Sequence, residues 1–356
     1  MRIGIFDPYL DDLGGGEKYM LSLAEYLSKE HDVYVFWNVK EDFAKISERF
    51  SIDLSKIRLA DNIFASKISL LKRLIETKKF DVIIVLSDGS IPLSLSKKLF
   101  IHIQQPIKMG LKNIKDKFKI SRVNKVFCNS FYSKSYIDKC FGVNSLVIYP
   151  PVEIKAKNVK KQNVILHVGR FRPKDVISGA EDYKKQGIMT EIFKEMVKSG
   201  LKNWKFILAV SIRKGEEALF EALKKKTENL PIEFLVNETN DKLWDIYSIA
   251  KIYWHASGYG EDLIKHPEYA EHFGISTVEA MGSGAVPVAI NCGGQKEIIE
   301  NGKNGFLWND LEELKDKTNN LINNPKLLEQ FSVEAVKRAS IYNRQNFCSK
   351  IHELIK

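Results

Sequence analysis

Cysteine is scarce and scattered: Cys128, Cys140, Cys292 and Cys348 lie far apart, with no C-x-x-C pair among them. That spacing suggests neither a zinc site nor a disulfide frame, and a reduced cytosolic setting fits it best. No apolar run approaches the roughly 18 residues of a membrane-spanning helix. The start, MRIGIFDPYL, reads as a short strand without the apolar region of a signal peptide, so export by that route is not expected. G-x-x-x-x-G-K-[ST] and G-x-G-x-x-G are both missing, which removes two common phosphate-loop signatures. There is no low-complexity tract and no internal repeat.

What is present is a soluble globular composition, 44% apolar and 28% charged, over 356 residues, enough for two ordinary domains. The net charge of +10 invites an anionic partner: nucleic acid, a membrane surface or a phosphorylated substrate. Short β-branched runs alternate with helix-period segments from end to end. In the first half the strand candidates are RIGIF (2–6), DVYVFW (32–37), DVIIVLS (81–87), LFIHIQ (99–104), KVFCNS (125–130) and LVIYP (146–150). Between them Met20, Leu23, Ala24 and Leu27 mark the apolar stripe of a helix. Near-continuous apolar strands alternating with helices predict a parallel sheet covered on both faces. Tyr149-Pro150-Pro151 and the lysine-rich KAKNVKKQN that follows read as a linker. The alternation restarts with NVILHVG (163–169), FILAV (206–210), IEFLV (232–236), IYWHA (252–256), AVPVAI (285–290) and GFLW (305–308). The last 45 or so residues read as two or three helices. Two doubly wound α/β domains are expected, 1–150 and 151–340, and ligands of such sheets bind beyond the carboxyl ends of strands.

Residues that follow strands therefore matter. After the first strand, Gly14, Gly15 and Gly16 precede a helix, where amides can approach a phosphate with no Cβ in the way. After VILHV come Gly169-Arg170, and then Lys184-Lys185, cations able to clamp a diphosphate. The stretch EHFGISTVEAM (271–281) sets Glu271 and Glu279 eight positions apart around Phe273-Gly274. Ser276-x-x-Glu279 before an apolar run reads by itself as a helix capping box. That reading leaves Glu271 unexplained. One acid before a glycine turn and one inside the next helix would flank a hydroxyl-rich ligand ending in phosphate.

EHFGISTVE resembles the E-x7-E motif of retaining glycosyltransferases of family 4. GGGE after strand one, VIYPPV, VGRF followed by KKQ, and GSGAVPVAINCGGQKEIIENGKNGFLW are similar to that family's other elements, in order along nearly the whole chain. The resemblance implies the GT-B architecture, two Rossmann-like domains facing a central cleft. The first domain would take the acceptor, the second a nucleotide-sugar, and a C-terminal helix at about 341–356 would pack back on the first. Glu279 would bind the ribose, and Glu271 would lie near the anomeric centre. The segment His272, Phe273, Gly274 and Ile275 would meet the donor sugar through its amides. Arg170 and Lys184 or Lys185 would hold the diphosphate, with Gly15 and Gly16 approaching it. His102 matches a histidine placed beside the donor sugar, although alone it reads as a core residue of an apolar strand. PKDVISGAEDYKK, between Arg170 and the lysines, is longer than the family's usual turn.

No D-x-D occurs, so no metal or other cofactor is expected, and cations with amides would stabilise the leaving diphosphate. The implied reaction moves a hexose-type sugar from a UDP- or GDP-sugar to a glycan or lipid-linked acceptor. The competing readings are a nucleotide-sugar epimerase or a phosphorylase on the same plan, and a basic nucleic-acid-binding protein. The last finds no zinc, recognition-helix or aromatic RNP pattern here. In IKMGLKNIKDKFKISR (107–122), Ile107, Leu111, Ile114 and Phe118 follow helical spacing, and Lys108, Lys112, Lys115 and Lys119 run beside them. Such a stripe suits a helix lying on an anionic membrane surface, and predicts a peripheral protein on the cytoplasmic face.

Overall fold

The computed structural model describes residues 1–12, 14–108, 114–173 and 182–356. The chain divides into two compact units, Met1–Pro151 with Arg344–Lys356, and Val152–Asn343. Among the described residues of the first unit seven strands are β1 (Arg2–Phe6), β2 (Asp32–Phe36), β3 (Arg58–Ala60), β4 (Val82–Leu86), β5 (Lys98–Ile103), β6 (Lys125–Cys128) and β7 (Leu146–Val147). They form one parallel sheet in the order β3-β2-β1-β4-β5-β6-β7. Every residue of β4, VIIVL, is buried, as a strand covered on both faces requires. Helices α1 (Gly15–Leu27), α2 (Lys40–Phe50), α3 (Leu70–Thr77), α4 (Ile114–Ser121) and α5 (Phe131–Phe141) lie between the strands.

The second unit repeats the plan with β8 (Gln162–Arg170), β9 (Lys205–Ser211), β10 (Ile232–Val236), β11 (Ala250–His255), β12 (Val286–Ile290) and β13 (Phe306–Trp308). This sheet is also parallel, in the order β10-β9-β8-β11-β12-β13. Its helices are α6 (Gln186–Lys198), α7 (Glu217–Lys226), α8 (Asn240–Ile249), α9 (Ile275–Gly282), α10 (Gln295–Ile298), α11 (Leu311–Asn323) and α12 (Pro325–Ala339). The last helix, α13 (Arg344–Ile355), belongs to the first unit. Phe347 meets the Tyr19 ring edge-on at 5.1 Å, Arg344 donates to Glu25 at 2.5 Å, and Lys125 donates to the Leu354 carbonyl at 2.6 Å. An apolar contact, an ion pair and a cap on the last carbonyls thus hold one short helix.

Two features differ from the sequence reading. Strand β3 is a three-residue, half-exposed edge beginning with Arg58, too short and too polar to show as a β-branched run. The stripe drawn from Ile107 to Phe118 is not a single helix face. Ile107 is non-helical and buried in the same core as Ile91 and Ile137, whereas Phe118 lies in α4 and is 60% exposed. Gly110, Leu111 and Lys112 lie outside the described residues.

Asp7, directly after β1, is fully buried. Its Oδ1 accepts from the Tyr9 N–H at 2.9 Å, while Oδ2 has no hydrogen-bond partner among the described residues. Burial, and then the nearby Glu17 carboxylate, push its pKa from 3.8 up to about 8. A carboxyl whose folded pKa is raised favours folding at low pH, and that contribution is lost as pH climbs from the unfolded value toward about 8. Asp7→Asn should therefore gain thermal stability over the wild type at about pH 8. The gain should shrink toward about pH 4, as read by melting curves across the series.

Candidate active site

In the second sheet the strand order reverses between β8 and β11, so their carboxyl ends flank the switch point where ligands of such sheets bind. Arg170 is the last residue of β8, and its carbonyl accepts from Gln186 at 3.4 Å. His255 is the last residue of β11. Lys184, just before α6, reaches over this end of the sheet. A Cβ on Gly169 would lie 3.7 Å from the Lys184 Cδ.

Lys184 Nζ donates to Glu271 Oε2 at 2.6 Å, and His255 Nε2 lies 3.1 Å from the same oxygen. The two ions are 17% and 20% exposed, so the pair is mostly desolvated and its attraction is little screened. Burial alone would raise the Glu271 pKa. The Lys184 charge and the His255 hydrogen bond outweigh it and hold the carboxyl well below its usual range. Burial lowers the pKa of His255 against the pull of Glu271. A neutral ring beside an ionised carboxylate must donate from Nε2, which leaves Nδ1 as an acceptor; Nδ1 has no hydrogen-bond partner among the described residues.

Lys185 turns elsewhere. It is the residue before α6, buried and in the left-handed region at φ 56°, and its ammonium pairs with Glu261. The adjacent lysines are thereby distinguished: one faces Glu271, the other anchors a loop. A second anchor is Tyr183, whose hydroxyl donates to the carbonyls of Glu268 and Ala270 at 2.9 and 3.2 Å.

The turn from Glu271 to Gly274 is fixed by close backbone contact. Gly294 N–H donates to the Glu271 carbonyl at 2.8 Å, and a Cβ at Gly294 would fall 2.5 Å from Phe273 Cα. Gly274 has φ 115°, and a Cβ there would lie 2.5 Å from the Gln295 amide nitrogen. Only glycine satisfies both demands. The Phe273 side chain is buried on Tyr342 at 5.3 Å, so this residue can offer a ligand only its backbone. His272 Nε2 sits 3.2 Å from the Glu268 carbonyl. Helix α9 starts at Ile275 with Gly274 as its N-cap and no side-chain cap.

The capping-box reading of Glu279 is corrected by this geometry. Ser276 lies inside the helix, and its hydroxyl takes a hydrogen bond from Tyr253 at 2.8 Å. Glu279 instead accepts from the Tyr247 hydroxyl at 2.9 Å. An uncapped helix N-terminus beside an ionised acid and a lysine can bind an anion and a hydroxylated ring together.

In the first unit Gly14 is the N-cap of α1 and donates to Glu17 at 2.5 Å, with Gly15 and Gly16 opening the helix. The expectation that His102 touches a ligand is corrected. It has no exposed surface and stacks between Tyr19 and Phe127 at 4.2 and 4.4 Å. Its Nδ1 faces the Phe127 carbonyl at 3.1 Å and its Nε2 the Gln104 amide at 3.1 Å, and burial lowers its pKa to about 3. It is a neutral core residue. Gln104, which also reaches the Gly16 carbonyl at 3.4 Å, is the group between this histidine and the glycine turn. Sequence reasoning passed over Gln104, His255, Tyr247 and Gln295. For His255 a signal existed, since it closes the strand next to the switch point.

Two parallel, doubly wound sheets define the GT-B class of fold. The chain superposes on the crystal structure of Anabaena HepE in complex with UDP and glucose with a TM-score of 0.70 at 19% identity, covering 100% of this chain and 99% of that one. The sucrose-phosphate synthase of Thermosynechococcus elongatus matches with a TM-score of 0.67 at 12% identity, covering 100% and 98%. The family model described as glycosyl transferases group 1 matches residues 152–338, more than half of the chain, and the protein belongs to that family. A Dictyostelium discoideum GDP-Man:Man(3)GlcNAc(2)-PP-Dol alpha-1,2-mannosyltransferase is 25% identical over 61% of this chain and 43% of its own length. A D-inositol 3-phosphate glycosyltransferase from Rhodococcus jostii is 23% identical over 51% of this chain and 38% of its own. The chain thus spans less than half the length of these curated relatives.

The two lysines give a test. Lys184→Ala strands a mostly buried carboxylate and should reduce transfer on the order of a hundredfold, a loss that persists well below the variant's lowered melting temperature. Lys185→Ala should chiefly lower the melting temperature. Kinetics and melting curves on both variants check the division, and equal activity losses would contradict it.

Proposed function

We propose that the protein is a retaining glycosyltransferase that moves a hexose-type sugar from a UDP- or GDP-sugar onto a lipid-linked or growing glycan acceptor. One observation carries the reading: an ionised Glu271, held by Lys184 and His255, stands at the switch point beside the uncapped N-terminus of α9. Breaking the bond between sugar and diphosphate puts positive charge on the anomeric carbon and negative charge on the departing phosphate. Glu271 supplies fixed negative charge for the first. Arg170, Lys184 and the α9 amides supply positive charge for the second, already oriented before the reaction begins. Backbone amides from His272 to Ile275 meet sugar hydroxyls, and Glu279, steadied by Tyr247, accepts from the ribose.

In this reading the second unit takes the donor and the first the acceptor. The cations replace a divalent metal, consistent with a sequence that lacks D-x-D. The lipid-linked acceptor draws support from the Dictyostelium relative, whose name specifies a dolichol-linked one. In this reading the protein acts peripherally at the cytoplasmic face of a membrane. A thermal-shift screen against UDP-, GDP- and ADP-sugars identifies the donor, because a ligand bound only by the folded state raises apparent stability. Transfer to an added acceptor must then be observed. Epimerised nucleotide or phosphate-dependent release in its place would overturn the proposal.

Glu279→Ala should raise the donor KM by roughly 10- to 150-fold, the equivalent of about 1.5–3 kcal/mol of lost charged hydrogen bonding, with kcat nearly unchanged. Glu271→Gln should instead lower kcat, since its partner charge develops in the transition state. Steady-state kinetics separate the two. Transfer should also persist undiminished in EDTA; loss of activity that Mn²⁺ or Mg²⁺ restores would refute the cation account.

A further inference from the structure

Helix α3 is turned inside out. On this eight-residue element Leu71 is 70% exposed and Ile75 54%, and Leu70 beside them is exposed as well. Two of its polar residues, Arg73 and Thr77, bond to the protein instead. Arg73 donates to the carbonyls of Ile63 and Phe64 at 3.2 and 3.3 Å, and Thr77 accepts from the Leu95 N–H at 3.0 Å. Leu71 and Ile75 are one turn apart and so share a face. The Thr77 bond brings exposed Leu95 to the end of that helix.

The next apolar residue joins through a second bridge. Arg122, just past α4, donates to the Ser94 carbonyl at 3.4 Å, which sets the end of α4 against the same segment. Phe118, exposed, lies one turn before Arg122. Leu71, Ile75, Leu95 and Phe118 are thus carried by neighbouring elements of the first unit. Aliphatic and aromatic groups left in water together mark an interaction surface.

Charge identifies the partner. Residues 67–79 hold five cations, Lys67, Lys72, Arg73, Lys78 and Lys79, against the single acid Glu76. Lys67, Lys72 and Lys78 are exposed around the apolar residues, as are Lys117 and Arg122 beside Phe118. Exposed apolar groups interspersed with exposed cations match an anionic bilayer, which offers hydrocarbon to the one and phosphate headgroups to the other. We propose that the α3 face, with Leu95 and Phe118, docks the first unit on an anionic membrane surface. This rests on the reading of a lipid-linked acceptor and names the surface through which that acceptor is approached.

The test is co-sedimentation of the purified full chain with phosphatidylcholine vesicles, with and without phosphatidylglycerol. The wild type should pellet only with phosphatidylglycerol, and less as salt is raised. Leu71→Ser/Ile75→Ser, which alters side chains already in water, should weaken binding on the order of tenfold or more at an unchanged melting temperature. Lys67→Glu/Lys72→Glu should weaken it as well. Wild-type protein that stays in the supernatant, or a serine variant that pellets equally well, would overturn the proposal. So would a concentration-dependent dimer that the serine variant dissolves, which would assign the face to a second copy. The assay contains no donor or acceptor. Vesicle binding without sugar transfer would keep the docking surface and sink the transferase reading, while transfer without vesicle binding would do the reverse.

Discussion

Glu271 Oε2 takes two hydrogen bonds, from Lys184 ahead of α6 and from His255 at the end of β11. Three stretches of chain, one of them 87 residues from the carboxylate and another 16, are tied together at one oxygen atom. Removing water from a carboxylate costs several kcal/mol unless partners replace it, so this site holds its charge only because both partners are in place. The arrangement does not resemble an economical way to stabilise a fold, since apolar residues would do as well there. It does resemble a way to keep a negative charge fixed, dry and aimed before a substrate arrives.

The rest of the second unit serves that position. Gly294 lets two backbone segments approach within distances no side chain would allow, and Gly274 turns the chain at φ 115° against the Gln295 side chain, which locks the turn after Glu271 against the loop before α10. Phe273 is driven into the core on Tyr342, so the turn presents amides and not a ring. Lys185, bound to Glu261, and Tyr183, bound to the carbonyls of Glu268 and Ala270, hold the long segment ahead of Glu271 from either side of Lys184. The chemistry proposed for Glu271 therefore depends also on side chains that only anchor its loop, Lys185 and Tyr183 among them.

The first unit works by a different balance. Burial pushes both Asp7 and His102 toward their neutral forms, with the Glu17 carboxylate adding to the effect on Asp7. Its outer surface carries the opposite anomaly. On α3, Leu70, Leu71 and Ile75 are exposed while Arg73 reaches inward to the Ile63 carbonyl.

The sequence by itself determined the architecture, because parallel strands buried on both faces must read as apolar runs between helix-period segments, and those runs name nearly all the strands. It also determined which residue types stand after strands: Arg170, the lysine pair, the two acids and the glycines. Tertiary structure decided what those residues do. Whether Ser276 caps a helix, which of two adjacent lysines meets Glu271, and whether His102 faces a ligand or a tyrosine ring are matters of orientation. A one-dimensional pattern carries no orientation where the chain turns. The edge strand β3 and the outward leucines of α3 escaped for a related reason: their burial is set by neighbours distant in the chain, and local periodicity records only the chain itself.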